Sequence, residues 1–256
     1  MTIRILFTLL LACGILFNCS NKEFGKPLDY ILTNGKIWTG DPSNPWATWV
    51  AIRGNRIESV GDETTKVPDA AKIIDLEGKL TLPGFNDSHV HFASAGHLLL
   101  GINLLDVNVD DLFVQRVEET VGRLPEGSWI TGGSWGAYEA WNLGSEGGDT
   151  KSQEWVPSRS LIDDITPNHP VLVLRYDRKM GLANAVALDY FGIDSETGVL
   201  AGPVLTDYLE SIPEKSFDRK IAEGRRALEE CRKWGVTTVQ DMSPPDQLDV
   251  YQELRQ

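Results

Sequence analysis

Leu82-Pro83-Gly84-Phe85-Asn86-Asp87-Ser88-His89-Val90-His91-Phe92 is the stretch on which the reading of this chain turns. Pro83 fixes φ and lacks a backbone donor, and Gly84 opens conformations closed to other residues, so the pair ends whatever element precedes it. Phe85 to His91 then reads as a short strand. Residues i and i+2 of a strand point from the same face, so His89 and His91 present both imidazoles on one side. Neutral imidazole nitrogens ligate zinc at about 2.0–2.1 Å, and a strand end supplies two of them without strain. Two chance histidines on a half-covered strand give the same letters, and a bare H-x-H does not separate these readings. Asp87 suits either an acceptor behind a ligand imidazole or an ordinary strand-end hydrogen bond.

Upstream, residues 28–82 read as β structure punctuated by turns. Tyr30-Ile31-Leu32 and Ile37-Trp38-Thr39 flank Asn34-Gly35, and Trp49-Val50-Ala51-Ile52 and Ile57-Glu58-Ser59-Val60 flank Gly54-Asn55. Lys72-Ile73-Ile74-Asp75-Leu76 and Leu80-Thr81-Leu82 flank Glu77-Gly78. Each is a hairpin signal. Three hairpins predict a small β-sandwich-type domain whose apolar faces need a further layer.

Downstream, residues 83–256 alternate strand, loop and helix. Leu112, Phe113, Val117, Val121 and Leu124 recur at helical spacing behind Asn108-Val109-Asp110-Asp111. Trp129-Ile130-Thr131 is a second strand, and Val171-Leu172-Val173-Leu174 is a third, continuously apolar as in a buried parallel sheet. Ser211-Ile212-Pro213-Glu214 fits a helix cap ahead of Phe217, Ile221, Leu228 and Cys231, and Gly235-Val236-Thr237-Thr238-Val239 is a fourth strand. The alternation predicts an α/β fold with a parallel sheet.

Composition narrows the function classes. The 256 residues carry 41% hydrophobic and 24% charged side chains, ordinary values for a globular chain. With 24 Lys+Arg against 37 Asp+Glu the net charge is −13, which repels phosphate backbones and argues against nucleic acid as a partner. No dinucleotide fingerprint and no phosphate-binding P-loop occur in the sequence. Arg4 followed by the apolar run Ile5 to Phe17 is too short to span a bilayer and reads as an export signal. The run ends at Cys19, followed by Ser20-Asn21-Lys22-Glu23, which resembles a bacterial lipoprotein signal. The expected arrangement is a signal peptide at 1–19, lipidation at Cys19 and a tether at 20–27, anchoring an exported body to a bacterial envelope membrane. Leu10-Leu11-Ala12-Cys13 is the competing lipidation site. Of the three cysteines only Cys231 then remains in the body, where a lone thiol forms no internal disulfide and reads as core filling.

Leu-Pro-Gly-Phe-x-Asp-x-His-x-His, preceded by Ile73-Ile74-Asp75-Leu76-Glu77-Gly78-Lys79, resembles the entrance to the amidohydrolase superfamily. Further stretches are similar to its branch of YtcJ-like proteins and N-substituted formamide deformylases. These are Ile31 to Gly40, Trp129-Ile130-Thr131-Gly132-Gly133-Ser134-Trp135, Leu182-Ala183-Asn184-Ala185-Val186-Ala187-Leu188 and Gly235 to Met242. The resemblance implies a TIM-like (β/α) barrel with one or two divalent ions, zinc-type, at the C-terminal ends of its strands. It implies hydrolysis of a small amide- or formamide-type substrate at a non-peptide C–N bond by a metal-activated water. His89 and His91 are the implied metal ligands on the first strand. Later strands of the family add two histidines and an aspartate, whereas no histidine follows His169 here. The expectation is therefore the N-terminal half of a barrel over residues 83–256, with about four of its eight units and little hydrolysis on its own.

Other residues take places in that scheme. Asp241, ending the fourth strand, suits a metal-bridging group or a strand-end cap. Trp135, in the glycine-rich loop after the second strand, suits an apolar substrate portion. Arg175, Asp177 and Lys179 follow the third strand and suit either an anionic substrate group or an ion-paired rim. The family often carries histidine where Lys179 stands. His97 and His169 read as structural.

Two other classes compete. Gly132-Gly133-Ser134-Trp135-Gly136 matches the G-x-S-x-G nucleophile elbow of serine hydrolases, which would make Ser134 the nucleophile. The elbow needs a helix directly after it, and here Ala137 to Asn142 runs at once into Gly144-Ser145-Glu146-Gly147-Gly148. A lipid-anchored protein that binds a ligand without hydrolysing it is the non-enzyme reading; bound metal separates it from the hydrolase.

Overall fold

In the computed structural model, residues 28–142, 155–242 and 247–255 are described. The signal at 1–19, the tether at 20–27 and both lipidation candidates, Cys13 and Cys19, lie outside the described residues. The chain divides into two units between Pro83 and Gly84.

Among its described residues the first unit holds seven strands: β1 (Leu28–Thr33), β2 (Lys36–Trp38), β3 (Trp46–Ala47), β4 (Trp49–Arg53), β5 (Arg56–Gly61), β6 (Ala70–Asp75) and β7 (Leu80–Thr81). They form a four-stranded sheet in the order β5-β4-β1-β6 and a three-stranded sheet in the order β3-β2-β7. Ile37 and Ala47 of the smaller sheet pack with Val50 of the larger, so two layers share an apolar interior. Of the three expected hairpins Gly54-Asn55 alone forms, joining antiparallel β4 and β5. At Asn34-Gly35 and Glu77-Gly78 the chain instead turns from one sheet into the other, which corrects the hairpin expectation there. The two corners run side by side, because β1 pairs parallel with β6 and β2 with β7. Asn34 and Glu77 take positive φ of 54° and 56°, the turn conformation the letters promised, and long-range pairing decides what the turn connects. The Asn34 amide donates to Asp75 Oδ1 at 2.8 Å, tying one corner to the other.

The second unit holds β8 (Phe85–Val90), α1 (Phe92–Leu100), β9 (Ile102–Asn103), α2 (Asp110–Val121), β10 (Ile130–Trp135), α3 (Ala137–Asn142), β11 (Val171–Arg175), β12 (Met180–Ala183), α4 (Ala185–Phe191), β13 (Val199–Ala201), α5 (Gly202–Ser211), α6 (Phe217–Lys233), β14 (Val236–Asp241) and α7 (Leu248–Leu254). The four strands expected in one parallel sheet lie in two. Among the described residues β8 pairs in parallel with β14 alone, while β9 to β13 form a mixed sheet in the order β13-β12-β11-β10-β9. The first and fourth expected strands are thus neighbours, and the second and third belong to a sheet inserted between them in sequence. Two antiparallel strands, β12 and β13, complete the inserted sheet on one edge.

Both faces of the inserted sheet are covered, which explains the unbroken apolar run of β11. Val171 and Val173 face Phe113, Val117 and Leu182, and Leu172 and Leu174 face Leu188, Leu200 and Leu205. Asn184 is buried at the start of α4 with four partners. Its Oδ1 accepts from Val171 N at 2.9 Å and Ala187 N at 3.0 Å, and its Nδ2 donates to Thr166 Oγ1 at 2.7 Å and His169 O at 2.9 Å. The Leu182 to Leu188 motif is therefore built around a cap that also ties down the strand.

Helix α6 begins later than the sequence suggested. Ser216 caps it, accepting from Arg219 N at 3.2 Å, whereas Ser211 closes α5 with its hydroxyl on Asp207 O. Its buried residues are Glu223, Gly224 and Ala227, with Phe217 and Leu228 exposed, so the buried face differs from the expected one. Close helix packing sets that face. A Cβ on Gly96 of α1 would sit 2.3 Å from the Glu223 carbonyl oxygen, and one on Gly224 would sit 2.5 Å from Leu254 Cδ1.

Candidate metal centre

His89 closes β8 with Val90, and His91 is the N-cap of α1, so the pair straddles a strand-to-helix junction. Their rings stand edge to face with centroids 5.4 Å apart and planes at 73°. Two imidazoles bound to one tetrahedral ion at about 2.0–2.1 Å place their ring centres about 5 Å apart, so the pair fits a shared ion with a small adjustment. Both side chains are exposed, which leaves their nitrogens accessible. Among the described residues no group of three or more His, Cys, Asp or Glu side chains gathers as a metal cluster. The histidines therefore supply two imidazole donors.

Asp241 reaches this junction from β14, whose register sets it opposite Val90. Its Oδ1 accepts from the Phe92 backbone N–H at 2.9 Å and its Oδ2 from the Tyr251 hydroxyl. The carboxylate thus satisfies one of the unpaired donors in the first turn of α1, immediately after His91. That is the cap role, and it fixes the backbone that carries His91. Tyr251 also packs edge to face on Phe92 at 5.8 Å. Sequence reading missed Tyr251; its single signal is a tyrosine ten residues past a strand-ending aspartate. Asp87 Oδ1 accepts from the His89 backbone N–H at 3.1 Å, the strand-end bond rather than an imidazole contact.

A model of the amidohydrolase family matches residues 72–256, spanning this junction and both sheets of the second unit. The chain belongs to the amidohydrolase family. Protein LONG AFTER FAR-RED 3 of Arabidopsis thaliana is 36% identical over 234 residues, covering 84% of this chain and 38% of the relative. The N-substituted formamide deformylase of Arthrobacter pascens is 28% identical, covering 66% of this chain and 30% of the enzyme. The putative amidohydrolase YtcJ of Bacillus subtilis is 30% identical over 124 residues, 48% of this chain and 21% of that protein. Among solved structures, a metal-dependent hydrolase from Pyrococcus horikoshii shares the fold at a TM-score of 0.58 and 23% identity, covering 88% of this chain and 45% of that one. The chain spans less than half the length of each of these proteins.

The remaining candidates of this amidohydrolase chain sit on the inserted sheet. Trp135 ends β10 and is 1% exposed, packed in the core with Phe113 and Val173, so it has no free face for a substrate. The expectation of a loop aromatic is corrected, because the strand runs on through the glycines and carries the indole inside. Arg175 and Asp177 form a two-pronged ion pair at 2.9 and 2.7 Å, and Lys179 N donates to Asp177 Oδ1 at 3.0 Å. Those Arg175 hydrogen bonds outweigh burial and hold the Asp177 carboxyl below its ordinary range. Arg175 and Asp177 thus form an ion pair to which Lys179 is tied through its backbone, and their β11 support belongs to a different sheet from the histidines.

The other titratable groups have plain structural work. His169 is buried with Nδ1 3.0 Å from Ser128 O. Cys231 is half-buried, and burial first, then the Asp87 charge, pushes its thiol up, away from a nucleophile. Ser134 does precede a short helix, α3, and takes φ of 60°, but its hydroxyl has no hydrogen-bonded base among the described residues. His169 sits at the opposite end of β10, so the serine-hydrolase arrangement is not assembled.

One cluster exceeds what the sequence suggested. Glu223 of α6 is 5% exposed and holds His97 Nδ1 and Arg219 Nε at 3.0 Å each and Lys215 Nζ at 2.9 Å. His97 Nε2 lies 3.0 Å from Thr131 O on β10, so the imidazole links α6 to the inserted sheet. Burial would raise the Glu223 carboxyl; hydrogen bonds from His97 and Lys215, with their charges, prevail and hold it at about 2.

Proposed function

We propose that this chain carries the first part of a metal-dependent amidohydrolase site that acts on non-peptide C–N bonds of small amide- or formamide-type molecules. The observation that carries the reading is the His89–His91 pair at the end of β8, backed by Asp241 from parallel β14. In this reading β8 and β14 are adjacent strands of a (β/α) barrel, α1 and α6 are its outer helices, and β9 to β13 are an insertion between those two strands in sequence. The family's name and the formamide deformylase relative supply the bond class; the parallel pair and its helices support the barrel.

His89 and His91 would hold one divalent ion, with zinc the expected choice for imidazole donors. Such an ion supplies a Lewis acid and lowers the pKa of its water. The protein's own contribution is positional. Asp87 pins the His89 backbone and Asp241 pins the Phe92 backbone, so both imidazoles start from fixed main chain on either side of Val90. A catalytic zinc takes about three protein ligands, and the pair supplies two, so turnover requires a further ligand beyond the described set. The same reading places the protein outside the cytoplasm on a lipid at Cys19. Among the described residues no helix is long and apolar enough to cross a membrane.

Equilibrium dialysis against zinc tests the centre. The full chain is expected to bind zinc, with His89→Ala and His91→Ala each reducing it strongly. Zinc retention undiminished in both variants overturns the reading, and so does a full chain that binds no zinc, which favours a ligand-binding protein. Radiolabelled palmitate incorporation, lost in Cys19→Ala and kept in Cys13→Ala, tests the anchor.

A further inference from the structure

A cavity of about 710 Å³ lies within the second unit, lined by β10, the turn after β11, α1 and the segment entering α6. Its wall is rich in unmatched donors. Lys215 and Arg219 each give one N–H group to Glu223, at 2.9 and 3.0 Å, and the rest of each cationic head has no acceptor among the described residues. Arg178 and Ser134 also line the cavity, and neither side chain has a hydrogen-bond or ion-pair partner among the described residues. Both Glu223 oxygens are already engaged, so the wall offers few free acceptors in return.

Backbone conformation adds to this. Four non-glycine residues of the described chain take positive φ: Asn34, Glu77, Ser134 and Arg178. Asn34 and Glu77 form corners of the β unit, and Arg178 lies in the turn between antiparallel β11 and β12, where turns require such angles. Ser134, at 60° within β10, has no such turn and lines this cavity. Such strain persists where surrounding structure holds it, and it concentrates at ligand sites. Trp129 and Leu209 supply apolar lining to the same cavity.

We propose that this cavity binds a small organic monoanion, a carboxylate with an apolar body. The carboxylate meets Arg178, Lys215 and the Ser134 hydroxyl, and the body rests on Trp129 and Leu209. An anion is the match, because Arg178, Lys215 and Arg219 outnumber Glu214 and Glu223 in the lining, to which His97, hydrogen-bonded to Glu223, also belongs. A carboxylate accepts from a guanidinium and an ammonium on its two oxygens, which suits this donor set. The site uses neither His89 nor His91, so it stands or falls separately from the metal centre.

Calorimetric titration of the full chain in EDTA, with phenylacetate, its neutral isostere phenylacetamide and phenyl phosphate, tests this. Phenylacetate is expected to bind saturably at one site, and phenylacetamide at least about tenfold more weakly, the loss of one charge-assisted hydrogen bond. Arg178→Gly removes the guanidinium, and glycine adopts this φ without strain, so the variant keeps or gains thermal stability while phenylacetate weakens at least about tenfold. No saturable phenylacetate binding, equal binding of acid and amide, tighter phenyl phosphate, or unchanged affinity in Arg178→Gly each overturns the proposal.

Discussion

The two sheets of the second unit are built on opposite principles. In β11, Val171 to Leu174 are all buried, and apolar side chains cover both faces. In β8, Phe85 to His89 are all exposed, and among the described residues the strand pairs with β14 only. Composition agrees with part of the difference: Val-Leu-Val-Leu gains from burial on either face, whereas Asn-Asp-Ser-His offers little to bury, and Phe85 stays 54% exposed despite its apolar ring. Stability is thus concentrated in the inserted sheet and candidate chemistry in the thin one. What joins them is polar: Glu223, His97 and the carbonyl of Thr131.

The largest effect is expected at the centre of the inserted sheet's core. Phe113 is fully buried against Val117, Ile130 and Trp155. Phe113→Ala should cost about 3–5 kcal/mol in urea unfolding, from lost burial and the cavity left behind. A cost below that of Phe85→Ala, whose ring is 54% exposed, would break the comparison outright.

Next comes the polar joint. Glu223→Ala leaves Lys215 and Arg219 facing each other without their shared carboxylate. Because those cations are partly exposed, the expected cost is about 2–3 kcal/mol rather than the full penalty of a buried unpaired charge. The pH dependence has a definite sign. Glu223 is held at about 2 in the fold against 4.5 ordinarily, so its contribution is complete above about 4.5 and disappears as pH falls toward about 2. Wild-type stability should therefore decline through that window more steeply than that of Glu223→Gln, as acid denaturation with matched urea curves would show. Parallel declines would place the acid sensitivity elsewhere.

How much of this was legible differs along the same divide. The β11 run, the helix over 110–121 and the His89–His91 spacing were readable because each is a local pattern with a local cause. Sheet membership was not. A strand alternating with helices predicts a parallel neighbour, but nothing within Trp129 to Thr131 says that β8 pairs with a strand some 150 residues on, past an inserted sheet. The corners at Asn34 and Glu77 failed for the same reason: their letters specify positive φ, and pairing partners far away decide whether the chain doubles back or changes sheet. Glu223 was hidden differently. On its helix it looks like one member of an i, i+4 surface pair with Arg219, and only the approach of Gly96 buries it. At the candidate site, Asp241 was found by position and its cap role by structure.

Gly96 sharpens the comparison, since it sets how closely α1, which starts at the histidines, lies on α6. A Cβ there meets backbone, 2.3 Å from Glu223 O and 2.7 Å from its carbonyl carbon, so no side-chain rotation relieves it. Gly96→Ala is expected to cost about 1–3 kcal/mol and to weaken the Glu223 joint along with it. A double-mutant cycle with Glu223→Gln should then be non-additive. Additivity would mean that helix spacing and the ion cluster act independently.

The smallest effect is expected at the histidines. His89 is exposed, and its ring contact is with His91 rather than with the core, so truncating it removes little burial. The backbone bond from Asp87 survives the change, because it reaches the main-chain N–H and not the imidazole. His89→Ala should therefore shift unfolding by no more than about 0.5 kcal/mol without metal, the range of a neutral surface substitution. With zinc present the same variant should lose the stabilisation that ligand binding gives the folded state, so the wild-type gain in midpoint on adding zinc vanishes. A metal-free cost above about 1 kcal/mol would assign the imidazole to holding the thin sheet together. The contrast between a sheet that carries stability and a sheet that carries ligands would then fail at the residue that defines it.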